Sequence, residues 1–258
     1  MITIKTKKDI ETLREGGRRL ALILKAVATE VKPGISTDFL DFKAAELIAA
    51  GGDTAAFLNY KPHGAARAYP ASLCVSVNNE VVHGIPNENP KILKEGDVVS
   101  LDLGLVHKGL ITDHALTVPV GKISSEAKKL LDVTKKALAV GIKAAAGGKR
   151  TGDVGYAIEK FVEPYGYGII EELAGHGVGY SVHEDPFVPN YGIAGQGPVL
   201  KPGMVIAIEP MLALGKSAIK LLNDGYTFVT KDGSIAAHFE HTIVITEKGA
   251  EILTTPFV

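Results

Sequence analysis

The 258-residue sequence predicts a single α+β domain with approximate twofold symmetry. Three observations predict it. Each half opens with a long helix followed by a Gly-x-x-Thr entry into a shorter one, Gly34 to Thr37 and Gly148 to Thr151. The string Leu93 to Asp102 aligns without a gap with Leu200 to Glu209, and each reaches an acid six residues after its glycine, Gly96 or Gly203. A turn then leads to an acid–histidine pair: His107-Lys108-Gly109 to Asp113-His114, and Lys231-Asp232-Gly233 to Glu240-His241, the second interval being three residues longer. Helix, helix, acid-bearing strand and second acid-bearing strand recur in the same order, which is the signature of an internal duplication. No Pro/Gly/Ser-rich linker divides the halves, approximately residues 1–122 and 123–258, so the chain is expected to form one domain with its carboxylates converging near the axis.

The elements follow from spacing. A first helix opens at a capping-box pattern, Thr6-x-x-Asp9, carries Ile10, Leu13, Leu20, Leu24, Val27 and Val31 on one face, and ends at Pro33-Gly34. A second runs from about Asp38 to Ala50 and stops at Gly51-Gly52. The runs Val98 to Leu101 and Val205 to Ile208 read as buried strands, ended by Asp102 and Glu209. Between them a third helix spans about Ser124 to Ala146, with Leu131, Leu138 and Ile142 in its stripe, closed by Gly147-Gly148. The fourth starts near Thr151 and is expected to bury Val154, Ile158, Phe161, Val162 and Tyr165 before Gly166.

Composition narrows the function classes. With 46% hydrophobic and 22% charged residues the chain can bury a substantial core. A formal net charge of −1, with scattered Lys and Arg, offers no basic stripe for nucleic acid. Cys74 is the only cysteine, which rules out an intramolecular disulfide framework and a zinc site of paired cysteines, and a reducing, cytoplasmic setting is expected. The N-terminal residues run straight into charge where a signal peptide would be apolar, and no stretch approaches the ~20 apolar residues of a membrane span.

Carboxylates carry the chemistry. Asp102 and Glu209 follow runs of buried character, where an isolated charge would cost several kcal/mol or more, so pairing, protonation or a cation is required. Adding Asp113 and Glu240 gives four acids at symmetry-related positions with no Lys or Arg beside any of them, which makes metal the simplest compensating charge. Histidines join the set. His176 lies in Gly175-His176-Gly177-Val178-Gly179, where glycines let backbone approach closely, His183 precedes Glu184-Asp185-Pro186, and His83 follows the apolar Val81-Val82. Four carboxylates and one imidazole suit two hard or borderline divalent cations, as in hydrolases with metals ~3.5–4 Å apart.

The strings Asn79-Glu80-Val81-Val82-His83-Gly84-Ile85-Pro86, Ser100-Leu101-Asp102 with Thr112-Asp113, Gly175 to Gly179, His183-Glu184-Asp185-Pro186, Ile208-Glu209-Pro210-Met211 and Phe239-Glu240-His241-Thr242 resemble the signature segments of methionine aminopeptidases, from about Lys7 to the C-terminus. The resemblance implies the pita-bread fold, two duplicated helix-helix-strand halves around a curved antiparallel sheet. It implies two divalent ions, Co, Mn, Fe or Zn, held by Asp102, Asp113, His176, Glu209 and Glu240, with Asp113 and Glu240 bridging both. Glu209 would also act as general base, and His83 and His183 would contact the scissile amide as unligated catalytic, substrate-binding histidines. The activity implied is removal of N-terminal methionine from peptides and nascent proteins, with a small second residue preferred, by a metal-dependent exopeptidase. Such an enzyme would meet its substrates as N-termini, at the ribosome among other places, as a monomer without membrane contact.

The family's methionine pocket maps onto Tyr69, Cys74 and Tyr226. Tyr226 stands where many relatives have tryptophan, Val182 replaces an often aromatic residue, and Asn59 to Ala68 differs from bacterial relatives. Only 25 residues separate His183 from Glu209, too few for the insertion of the type II enzymes, so the chain resembles type I. It also lacks a cysteine-rich N-terminal extension. Three other readings compete. Xaa-Pro aminopeptidases and prolidases share the five-ligand pattern, but usually follow an additional N-terminal domain and differ around the third and last ligands. A non-enzymatic binding module of the same fold would be marked by lost ligands, and none is missing. A glycosidase acid pair would need no ligand histidine.

Overall fold

A computed structural model describes residues 2–256. Helix α1 (Lys7–Thr29) starts at the expected capping box: the Asp9 amide donates to the Thr6 hydroxyl, and the Thr6 amide donates to the Asp9 carboxylate. Its core face is Leu13, Leu20, Leu24 and Val27, whereas Val31 lies beyond the helix end and is half-buried. Gly17 is required where α1 crosses the C-terminal segment, because a Cβ there would lie 2.5 Å from the Leu253 carbonyl oxygen. Helix α2 (Thr37–Ala50) ends at Gly51, and α3 (Ser125–Ala144) is capped by Ser124, whose hydroxyl accepts from the Ala127 amide. Helix α4 (Thr151–Val162) is shorter than expected. Pro164 falls in a 3₁₀ turn, Glu163–Tyr165, so the helical period stops before Tyr165. That tyrosine is 36% exposed instead of buried, with its ring stacked near Tyr167, and Phe161 is half-buried.

Among the described residues every ladder is antiparallel, and the strands fall into four sheets. In the first half Val98–His107 pairs along its whole length with Leu110–Pro119 through a two-residue turn in which Lys108 and Gly109 both have positive φ, 49° and 81°. Leu73–Val77 flanks the other edge. Asp102 therefore sits in mid-strand, not at a strand end, because the hairpin partner extends the ladder past it. The alternation still sets its direction: Val99, Leu101, Leu103 and Leu105 turn into a core shared with Leu20, Leu24, Leu40 and Ile48 of α1 and α2, leaving Asp102 on the opposite face.

The second half repeats the plan. Val205–Ile208 pairs with His241–Thr246 on one side and Gly175–Gly177 on the other. Ile206, Ile208, Ile243 and Ile245 pack against Leu130, Leu138, Val154 and Ile158 of α3 and α4 in a core of their own. Among the described residues no helix is long and apolar enough to cross a membrane.

Candidate metal centre and the cavity around it

Strand register assembles the carboxylates. Asp102 lies opposite Ala115 and Cys74, while Asp113 lies opposite Gly104, so Asp102, Asp113 and Cys74 share one face of the first sheet. In the second half Ile208 lies opposite His241, which leaves Glu209 and Glu240 facing each other one step beyond that pair. Backbone bonds then join the halves: Glu240 donates to the Ala115 carbonyl (2.9 Å), and Asp113 donates to the Thr242 hydroxyl (2.8 Å). His176 enters from Gly175–Gly177. A Cβ at Gly175 would lie 2.3 Å from the Ala207 carbonyl oxygen and one at Gly177 would lie 2.2 Å from that of Asp185, so both glycines are needed for the strand to fit between its neighbours.

One cavity of about 170 Å³ is lined by all ten residues singled out from sequence: Asp102, Asp113, His176, Glu209, Glu240, His83, His183, Tyr69, Cys74 and Tyr226. Asp113, His176 and Glu240 converge most closely, one donor atom of each lying within 4.8 Å of the others. Glu209 adjoins that group through Oε1, 3.4 Å from His176 Nε2, and Asp102 adjoins it beside Asp113.

The donor set fits divalent cations on three grounds. Asp102 Oδ1, Asp113 Oδ1 and Glu240 Oε1 are buried without a hydrogen-bond partner, and among the described residues no Lys or Arg pairs with any of the four acids. Burial first, then mutual repulsion, raises the carboxyl pKa values: Asp113 to about 7, with Asp102 and Glu240 well above the ordinary range, while burial lifts Glu209 to about 8. His176 supplies the third ground. Its Nδ1 lies 2.9 Å from the Gly177 carbonyl oxygen, which only accepts, so the proton belongs on Nδ1 and Nε2 presents a lone pair. That lone pair faces a carboxyl oxygen of Glu209 at 3.4 Å, and a cation held between the two atoms would satisfy both. Burial keeps the imidazole neutral by lowering its pKa to about 3.

Around this floor the walls are mixed. Phe57, Val182 and Met211 line the cavity with the three pocket residues. Tyr69 and Tyr226 meet edge to face, 5.1 Å between centroids, with the Tyr69 hydroxyl donating to Gly84 O (2.8 Å) and the Tyr226 hydroxyl to Arg67 O. His83 is held at positive φ, 59°, just past Glu80–Val82, and burial lowers its pKa to about 4. His183 is exposed and also lines the cavity, in edge contact with His176 at 4.4 Å between centroids.

Three contacts were not read from the sequence. The Tyr60 hydroxyl lies 2.9 Å from His183 Nδ1. Lys5 is buried and pairs with Glu184, the residue after His183, at 2.6 Å. His238 Nε2 lies 3.4 Å from Glu209 Oε2. His238 precedes Glu240 by two residues, a spacing that on a strand returns to the same face, and that signal was available.

The metallopeptidase family M24 model matches residues 11–247 of this chain. The chain is 48% identical to methionine aminopeptidase of Aquifex aeolicus over 98% of both proteins. Its structure superposes on that of methionine aminopeptidase from Thermotoga maritima with a TM-score of 0.94 and 44% identity, covering 99% of this chain and 100% of the other. An Xaa-Pro dipeptidase from Bacillus anthracis shares the fold at 22% identity and a TM-score of 0.76, with 98% of this chain covering 62% of that one.

Proposed function

The chain belongs to metallopeptidase family M24 and, within it, to the methionine aminopeptidases, and is thus a metal-dependent aminopeptidase with the pita-bread fold; from that premise we propose that it removes the first methionine from peptides and nascent proteins with two divalent ions, preferring a small second residue. The observation that carries this reading is the convergence of Asp102, Asp113, His176, Glu209 and Glu240 on one cavity with buried, unpartnered carboxylate oxygens. Those five residues would hold the ions, Asp113 and Glu240 between both. Bound there, divalent cations would offset the clustered negative charge, make water more acidic and polarise a carbonyl.

The protein's own groups do the rest. Glu209 takes the proton of the attacking water on a carboxylate oxygen, which the divalent cations beside it would keep ionised. His83 and His183 both line the cavity and donate hydrogen bonds to the amide as negative charge develops on its oxygen. Donation from the Tyr60 hydroxyl to His183 Nδ1, 2.9 Å away, would leave the imidazole proton on Nε2, where this role needs it. Tyr69, Cys74 and Tyr226, with Phe57 and Met211, form an apolar and polarisable recess suited to a thioether. The whole chain acts as one catalytic domain of two halves, as a monomer, in the cytoplasm and on chains leaving the ribosome.

Metal-stripped protein reloaded with Co, Mn, Fe or Zn in turn should hydrolyse Met-Ala-Ser and leave Xaa-Pro-Ala peptides intact. Faster cleavage of Xaa-Pro-Ala with every metal would overturn the assignment.

A further inference from the structure

Glu209 is flanked by two imidazoles, one at each carboxylate oxygen: His176 Nε2 is 3.4 Å from Oε1, and His238 Nε2 is 3.4 Å from Oε2. The two rings play different parts. His176 keeps its proton on Nδ1 for the Gly177 carbonyl and has none to offer Glu209. His238 is 1% exposed, and neither ring nitrogen has a hydrogen-bond partner. Its backbone is fixed on both sides, the amide donating to the Thr117 hydroxyl (2.9 Å) and the carbonyl accepting from it (2.7 Å), so the strand Ala236–His238 holds the point from which the buried ring reaches Glu209.

The proton on a neutral His238 has two places to go. On Nδ1 it would be a buried donor without an acceptor, and the Nε2 lone pair would face the Glu209 carboxylate; both cost free energy. On Nε2 it faces Oε2, and the contact becomes a charge-assisted hydrogen bond, leaving only an acceptor unsatisfied. The Glu209 backbone is pinned as well, its carbonyl accepting from Asn190 Nδ2 at 3.0 Å. What remains to be set is the rotation of the carboxylate.

We propose that His238 is a positioning residue that donates from Nε2 to Glu209 Oε2, fixing the rotation of that carboxylate so that Oε1 is presented to His176 and the metal site. The inference rests on the reading of Glu209 as a metal-holding base, and it assigns His238 no direct contact with metal or substrate. Glutamine can donate to the same oxygen; leucine fills space and cannot.

The test is calorimetric titration of metal-stripped protein with Mn2+, alongside kcat and KM for Met-Ala-Ser. His238→Leu should lose about 10–100-fold in Mn2+ affinity at the site that includes Glu209, the range for removal of an outer-sphere partner. Its kcat should fall with little change in KM, and His238→Gln should recover most of both losses. Wild-type Mn2+ affinity in His238→Leu overturns the proposal, as does His238→Gln behaving no better than leucine. Loss of one whole ion from both variants also overturns it, because His238 would then be a ligand itself. If His238→Leu does not fold, His238→Asn, too short to reach Oε2, takes its place. Failure of the underlying reading is distinguishable, since the wild type would then bind no Mn2+ or leave Met-Ala-Ser uncut.

Discussion

The rings of His114 and His241 stack face to face, 4.6 Å between centroids and 9° from parallel. Each directly follows a carboxylate, Asp113 or Glu240, and the two pairs occupy matching places in the duplicated halves. The stack therefore marks where the halves meet. His114 Nδ1 contacts the Glu240 carbonyl, the Thr242 hydroxyl donates back to the Asp113 carbonyl at 2.7 Å, and His241 Nδ1 contacts the Thr254 hydroxyl. Two buried acids that repel each other are thus held together by hydrogen bonds and packing from the residues beside them.

Replacing either acid tests what that closeness is for. Asp113→Ala or Glu240→Ala removes a donor shared by both proposed ions, so each variant should lose metal and activity together. Metal content by atomic spectroscopy and turnover of Met-Ala-Ser check it, and an Asp113→Ala protein active at wild-type metal content would sink the five-ligand assignment.

Metal-free protein should show an inverted pH dependence of stability. Burial pushes Asp113 up to about 7 and Glu209 up to about 8, from the ordinary carboxyl range of about 4, so between those limits the folded chain binds more protons than the unfolded one. Stability then falls as pH rises, because ionisation buries repelling charge. The Tm of the stripped protein should drop from about pH 5 to about pH 8, and the gain on adding Mn2+ should widen over the same range, since binding displaces protons. A stripped-protein Tm that rises across this window would contradict the placement of these carboxyls.

The site was legible because its demands are strict. Four acids without a neighbouring cation, placed by a repeat, leave few physical options, and His176 between glycines reports a close backbone approach. Periodicity served less well where a backbone-altering residue intervened: the helical stripe extended to Tyr165 ignored Pro164. Asp102 looked like a strand end because its charge closes the apolar run Val98 to Leu101, yet pairing with Leu110–Pro119 carries the strand on to His107. Lys5, Tyr60 and His238 stayed hidden because each acts through a partner distant in sequence, as with Tyr60 and His183, 123 residues apart.

Substrate choice can be read from the recess walls. A free N-terminal methionine followed by a small residue should be cleaved, and N-acetylation should abolish cleavage, as expected of an enzyme that engages a chain end. Mass spectrometry of Met-Ala-Ser and its acetylated form, incubated side by side, decides it; comparable turnover of both would mean that the exopeptidase reading is wrong.

The last prediction separates Glu209, His183 and Tyr60. Glu209→Gln removes the proposed base, costing ~10²–10⁴-fold in kcat or more, with partial metal loss. His183 touches His176 by its ring but contributes no atom to the close donor group of Asp113, His176 and Glu240. His183→Ala should therefore keep its metal while losing kcat and kcat/KM, the pattern of a contact strongest in the transition state. Tyr60→Phe leaves the imidazole in place and removes only the hydroxyl that contacts its Nδ1. A loss of roughly 3–10-fold in kcat, the size of one hydrogen bond, with KM and metal content unchanged, is the expected result. Full activity in Tyr60→Phe would show that the 2.9 Å contact does not orient His183, and metal loss in His183→Ala would move that histidine into the ligand set.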